Sequence, residues 1–460
     1  MRGQEQHQIA LYYLYTPRPL PQELLSQHIQ YQKDLCASLS LHGRIRVSCE
    51  GINGVLSGRT VDLHQYEERL HDELTRIFSD SNVEDHGAGT TDGMSFDLDM
   101  KYCKLRPEIP EEQQLFDSLS VKQTREVVSL YEMKSEPAAN KKGRRGGRQA
   151  RKWRQRQRQL EQEQQQWQQE NVQEHAVGSD QLSKQKEQCN GEQSNQSSVV
   201  PSSPEDIDLK AYPPARHLSP EQWNRQLKSE SEGDAVLLDA RNVYESKVGH
   251  FAVPGVPTLL PNTRKYSSLP AVFDSTSEQL AGKKVYMYCT GGVRCERASA
   301  YLQALADSDR WKGDRPVEIY QLKGGIQRYL EAYGSMNKGQ DVEEGAIAES
   351  DSMRSETCLY KGRNFVFDPR RTDPVVGPGC AGKCLLCSVP HDDYDNGHAP
   401  CDNKEARCCR CRVLVLICND CRSKMRCFGE AEAGDKPDLF CGPNGEECVD
   451  EGNNISVDII

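Results

Sequence analysis

The sequence predicts an α/β protein of several domains that ends in a small cysteine-rich metal-binding module. Three observations carry this expectation. Residues 9–133 alternate strand and helix signals in the order β-α-β-β-α-β, residues 283–305 read as strand, cysteine, glycine loop and helix, and thirteen of the nineteen cysteines lie between Cys358 and Cys448. A chain of 460 residues is long enough for two or three domains. A formal net charge of −11, with 28% charged and 36% hydrophobic residues, is too polar for one globule and predicts sizeable disordered stretches. MRGQEQHQIALYYLY has no basic segment leading into a long apolar one, and no apolar run approaches the roughly 20 residues of a membrane span. A soluble, intracellular and cytoplasmic protein with no membrane partner is expected.

Residues 1–133 form the first expected domain. Ile9 to Tyr15 reads as a strand, and Pro21 to Leu41 as a helix with apolar residues at Leu24, Leu25, Ile29 and Leu35. Ile45, Val47 and Cys49 alternate as a second strand. Gly51, Gly54 and Gly58 are read as turn residues around a short third strand, Val55-Leu56. A helix over Val61 to Phe78 and an alternating Phe96 to Leu105 complete a ferredoxin-like or acylphosphatase-like plait. Cys36, Cys49 and Cys103 are expected to be buried as small hydrophobes.

Residues 134–204 are a different material. Ten cations between Lys141 and Arg158 precede a Gln/Glu-rich run and then Ser and Asn, with no apolar periodicity. The basic run suits RNA phosphates or nuclear import, or is simply part of a solvated insertion.

The second domain, residues 205–336, holds the reactive group. Ser219, Pro220 and Glu221 start a helix that runs through Leu227. Ala235 to Leu238, Val285 to Tyr288 and Val317 to Tyr320 read as buried strands separated by helices, which gives a parallel sheet with its ligand crevice at the strands' carboxyl ends. Cys289 follows Tyr288 directly. The loop Thr290, Gly291, Gly292, Val293, Arg294 and Cys295 then leads into a helix read over Glu296 to Leu305. Backbone N–H groups and the positive helix end facing one sulfur favour its thiolate, which is the nucleophile, and a nearby arginine adds to this. A buried structural thiol is the bland alternative. Four residues separate Cys289 from Arg294, one fewer than a phosphate-wrapping phosphatase loop needs, so a smaller anion or a cysteine-bound sulfur fits better. Cys295 is either a resolving thiol for a persulfide or sulfenic acid, or a packed one. Arg294 is read as the partner of an anion, either the substrate's or the loop's own. Asp239 and Arg241 end a strand, and either touch substrate or form a buried pair holding the active loop. His250 is read as a packing residue and not as a base. No nucleotide-cofactor motif is evident.

Residues 337–356 form an acidic linker, and residues 357–460 are the cysteine-rich region. Cys384-x2-Cys387 and Cys418-x2-Cys421 are the strongest metal signal in the chain: each pair sets two thiolates on one turn, and four complete a closed tetrahedral zinc site of structural type. Cys401 and Cys411 are candidates for a second site. His391 and His398 lie in a polar loop and are read as solvated. Clustered cysteines in a reducing compartment indicate metal or redox chemistry rather than a disulfide framework.

The motifs CTGGVRCE, VSCEGINGVLSG, DARNVYESKVGHF and YKGRNFVFDPR together resemble the bacterial tRNA uridine hydroxylase branch of the rhodanese-like proteins. The glycine pair of QLKGGIQRYL and Cys411, seven positions before Cys418, also match that pattern. Cys408-Cys409 and the insertion at 134–204 depart from it. The resemblance implies a rhodanese domain with Cys289 as the catalytic persulfide or thiolate position, tRNA as substrate and conversion of wobble uridine to 5-hydroxyuridine. It also implies an N-terminal domain that either binds RNA or covers the active site. Two rivals are a thiosulfate or persulfide sulfurtransferase without RNA, using a small sulfur donor such as thiosulfate, and a non-enzymatic zinc-dependent interaction protein.

Overall fold

A computed structural model describes residues 6–79, 98–130, 212–336, 357–394, 406–425, 437–441 and 457–460. The basic and Gln-rich insertion, the acidic linker, Cys401, Cys427, Cys448 and His398 lie outside the described residues.

The first domain runs β1 (His7–Tyr15), α1 (Gln22–Ser38), β2 (His42–Ser48), β3 (Gly51–Arg59), α2 (Thr60–Ser79), β4 (Lys101–Cys103) and β5 (Leu119–Gln123). Its sheet order is β4-β1-β3-β2-β5. The first four strands pair antiparallel as in the expected plait, and β5 adds a parallel edge beside β2. The glycines of GINGVLSG depart from the expected turns. They do not surround a short strand; they lie within a nine-residue one. Gly54 lies beneath the Tyr12 ring, where an added Cβ would come within 2.4 Å of it, so the absent side chain serves close packing rather than a turn. The hairpin turn is Cys49-Glu50, between Ser48 and Gly51, and it leaves Cys49 exposed rather than buried. Of Phe96 to Leu105, only Lys101–Cys103 is a described strand, and residues 80–97 lie outside the described residues.

The second domain comprises β6 (Arg216–Leu218), α3 (Pro220–Ser229), β7 (Ala235–Asp239), α4 (Val243–Ser246), β8 (Gly249–Phe251), β9 (Thr258–Pro261), α5 (Leu269–Leu280), β10 (Lys284–Tyr288), α6 (Val293–Ala306), β11 (Glu318–Leu322) and α7 (Gly325–Tyr333). Ser219 and Gln222 cap α3 reciprocally. Strands β9-β7-β10-β11-β6 are parallel, and β7 is buried along its whole length, as a sheet covered on both faces requires. Val236, Leu238, Val285 and Met287 pack one face against α5 and α6. Ala235, Leu237, Tyr286 and Tyr288 pack the other against Trp223 of α3 and Ile326 and Tyr329 of α7.

The cysteine-rich region is joined to this domain by strands. β12 (Ser335–Met336), β14 (Thr372–Val376), β13 (Tyr360–Phe365) and β8 make one sheet, and β15 (Val457–Ile459) pairs antiparallel with β9. Between them, the bridges Lys383↔Pro390 and Arg407↔Leu414 form two knuckles, followed by the short helix α8 (Asn419–Arg422). No described helix is long and apolar enough to cross a membrane.

Candidate active site

Cys289 is the first residue after β10, at the carboxyl end of the parallel sheet. The chain turns at Gly292, whose φ of 99° is in the left-handed region, and enters α6 at Val293, earlier than the helical spacing from Glu296 onward predicts. The turn brings the Gly292 N–H to 3.2 Å from the Cys289 sulfur. Gly325 supports the loop from below. An added Cβ there would come within 2.7 Å of the Cys289 carbonyl and Gly292 nitrogen, while Ile326 and Gln327 N–H groups donate to the carbonyls of Cys289 and Thr290, both at 3.0 Å.

The electrostatics of the loop favour a thiolate. Cys289 is fully buried, which alone would raise its pKa. Hydrogen bonding from the Cys295 thiol, the Arg294 charge and the backbone N–H groups of Cys295 and Arg294 outweigh that and bring it down to about 6. Cys295 is pushed the opposite way by burial and by the Cys289 sulfur. One sulfur is therefore held as thiolate and the other as donor thiol. The Cys289 side chain is enclosed, whereas the space beside Gly291 is open. Alkylation of the peptide bearing Cys289 by iodoacetamide, followed by mass spectrometry, is expected to reach half its limiting rate near pH 6. A midpoint above about 8, the range of a free thiol, would remove the activated thiolate.

Arg294 meets an anion from its own domain. Its guanidinium donates twice to Glu245, at 2.8 and 2.6 Å, and once to Thr290 Oγ1 at 2.9 Å. Burial would raise the Glu245 pKa, and Arg294 holds it below the carboxylate range instead. Sequence reasoning gives Glu245 no role of its own. The available signal is the fixed spacing within DARNVYE, where Asn242 and Glu245 make the capping box of α4. Asp239 and Arg241 form a second, fully buried pair at 2.7 Å. Arg241 also donates to the Gly249 carbonyl and Tyr360 hydroxyl, which ties β7 to β8 and β13. His250 Nδ1 lies 2.9 Å from the Ser246 carbonyl.

The first domain is docked against this loop. Tyr13 of β1 donates to Glu296 at 3.0 Å, and its hydroxyl would lie 2.8 Å from a Cβ at Gly292. Glu296 also meets His217 at 2.8 Å and Gln321 at 3.3 Å. Arg297 of α6 pairs with Glu50 at the β2–β3 turn, and Arg328 of α7 with Asp99 at 2.9 Å. The acidic residue within VSCEGINGVLSG is thus a clamp between domains.

The thiols of Cys384, Cys387, Cys418 and Cys421 lie within 4.8 Å of one another, and so do those of Cys408, Cys411 and Cys441. Cys411 belongs to the second group, where its partners are Cys408 and Cys441 among the described residues. Cys408-x2-Cys411 is itself a thiolate pair on a turn, a signal obscured in sequence by the adjacent Cys409. His391 is half-buried beside the first knuckle and belongs to neither group. Thiolate sets of this closeness fit a metal ion such as zinc by donor type and number.

Residues 7–127 match the UPF0176 acylphosphatase like domain, and residues 223–332 match the Rhodanese-like domain. The chain carries a rhodanese-like domain at residues 223–332. The rhodanese domain and its N-terminal companion also recur in longer similarities. The chain is 30% identical over 428 residues to "Rhodanese-like domain-containing protein 6" of Arabidopsis thaliana, covering 92% of this chain and 52% of that protein. It is 25% identical over 404 residues to a "tRNA uridine(34) hydroxylase" of Shouchella clausii, covering 87% and 83%. A protein of the same name from Chlamydia muridarum is 33% identical over 243 residues, covering 48% and 59%. The chain therefore spans about half the length of the Arabidopsis protein.

Proposed function

We propose that this protein hydroxylates wobble uridine in tRNA to 5-hydroxyuridine, with Cys289 as the reactive residue in its thiolate or persulfide form. The observation that carries the reading is the activated thiolate loop beneath an acylphosphatase-like domain, in a chain most of whose length is similar to a protein named tRNA uridine(34) hydroxylase. Thr290 to Cys295 shape the loop. Glu245 fixes Arg294 so that its charge stays beside the sulfur, and Asp239 and Arg241 hold the strand ends on which the loop rests. Tyr13 of the N-terminal domain covers the loop at Gly292, while the space beside Gly291 is open.

Zinc at Cys384, Cys387, Cys418 and Cys421 would close the first knuckle as a structural site, with Cys408, Cys411 and Cys441 as a second position. Reduced thiols in both places suit a cytoplasmic protein.

The test is mass spectrometry of tRNA nucleosides from cells that lack their own uridine hydroxylase and carry either the natural chain or Cys289→Ser. Restoration of 5-hydroxyuridine derivatives by the natural chain alone is expected, with the variant at background. Equal nucleoside profiles in the two strains would overturn the assignment.

A further inference from the structure

A second surface beside the active loop is built for a different task. A cavity of about 320 Å³ lies between the rhodanese domain and the second knuckle, lined by Tyr244, Phe365 and Phe367 together with Arg264, Lys265, Arg371, Arg407 and Arg412. Five cations and three aromatic rings line it, with no acidic side chain among the described residues of its wall. In a chain of net charge −11, such a concentration of one sign focuses a local positive field.

Its construction is specific. Phe367 is 45% exposed, so part of its ring is open where it lines the cavity. Its other neighbours fix its orientation: Phe365 lies edge-on at 5.5 Å, and the Arg294 guanidinium sits 5.3 Å from its ring centre. Arg371 and Arg412 both hold left-handed backbone, at φ 63° and 71°, and are two of only five non-glycine residues among those described that do so. Such conformations are strained for residues with a side chain and persist where the surroundings enforce them. Arg264 reaches the Cys411 carbonyl at 2.8 Å, and Arg407 the Arg412 carbonyl at 3.0 Å. The cysteine knuckle thereby sets the position of the cationic wall.

We infer that this cleft is the RNA-binding site, taking a backbone phosphate on its arginines and a base against Phe367. The inference rests on the tRNA reading above and adds where the strand is gripped. Stacking and charge together are the usual means of holding a single-stranded loop. Geometry links the cleft to the chemistry. The Phe365 carbonyl accepts a hydrogen bond from Thr290 at 3.4 Å, and Phe367 packs on Arg294. A nucleotide in the cleft is thus one aromatic layer from the Cys289 loop, and its chain neighbour can be presented there. An anticodon loop, with unstacked bases next to the target uridine, fits that arrangement.

The experiment measures binding of transcribed tRNA to the full chain by fluorescence anisotropy across a salt series. Lys265→Ala/Arg371→Ala/Arg412→Ala is expected to bind at least tenfold more weakly. Its log–log salt slope should be shallower by roughly 0.7 for each phosphate that is no longer neutralised. Phe367→Ala should weaken binding about fivefold or more with the slope unchanged, as for removal of a stacking platform. Thermal melts check that the variants fold, and Cys289→Ser should bind like the natural chain. If the natural chain binds and both cleft variants bind equally well, the cleft assignment falls and the tRNA reading survives. Failure of the natural chain to bind tRNA overturns both.

Discussion

Glu245→Ala is expected to destabilise the rhodanese domain by about 3–5 kcal/mol, because it leaves a buried guanidinium without its counter-charge. Arg294 is only 7% exposed and Glu245 not at all, so water cannot replace the lost carboxylate. The two groups share a double hydrogen bond, and Thr290 bonds to both. The loss should appear as a lower thermal midpoint and as faster hydrogen exchange in the loop at 289–295. Glu245→Gln separates charge from shape. Arg294 holds the natural carboxyl below its ordinary value of 4.5, so the stabilisation from its charge is complete at neutral pH and is lost as pH falls through that depressed value. The natural chain should accordingly exceed Glu245→Gln in stability at pH 7 and converge with it in strong acid. A midpoint unchanged by either substitution would show that the pair does not hold the loop.

Removal of metal is expected to have the other large effect. Each knuckle is a tight turn closed by one bridge, Lys383↔Pro390 or Arg407↔Leu414, and its thiols are set among the buried Val413, Val415 and Ile417, so the metal adds to a small apolar cluster. Zinc bound by thiolates in small modules contributes on the order of 10 kcal/mol to the folded form. Cys384→Ser should lower zinc content by one equivalent in elemental analysis and open residues 383–394 and 406–425 to trypsin. Residues 6–79, whose core contains Tyr12, Leu35, Ile52 and Tyr66, should stay resistant. The fully reduced natural chain purifying without zinc, with residues 383–394 and 406–425 still resistant, would refute a metal role for this cluster. The cleft depends on the second knuckle through Arg264 and Arg407, so Cys408→Ser is predicted to weaken tRNA binding while leaving the alkylation midpoint of Cys289 near 6.

Local patterns determined a good deal. The order of strands and helices specified the plait, since the 3.6 and 2.0 periodicities of Leu24 to Leu35 and of Ile45 to Val47 are properties of the chain itself. Cys289 was legible because strand, glycine pair and helix are contiguous, so their geometry is dictated within a few residues. The Cys384 and Cys418 pairs were legible for the same reason. The glycines of β3 were not: a glycine reserved for a turn and one reserved for a close neighbour look alike until Tyr12 is placed above Gly54.

What the tertiary structure alone decided are the relations between distant segments. Glu245 and Arg294 are 49 positions apart, and only the packing of α4 beneath the loop reveals that the buried arginine already has its anion. Glu50 and Arg297, or Tyr13 and Glu296, meet through domain docking that no periodicity encodes. The cleft is the clearest case. Its cations come from residues 264–265, 371, 407 and 412, none of which forms a basic run, while the basic run at 141–158 was the sequence's visible candidate. By itself the sequence determined most of the elements, the place of Cys289 between strand, glycine loop and helix, and the first set of thiols, because local spacing sets each of them. Only the fold decided which carboxylate pairs with Arg294 and which domain covers the Cys289 loop, because charge and shape complementarity arise between surfaces that the chain brings together after long excursions.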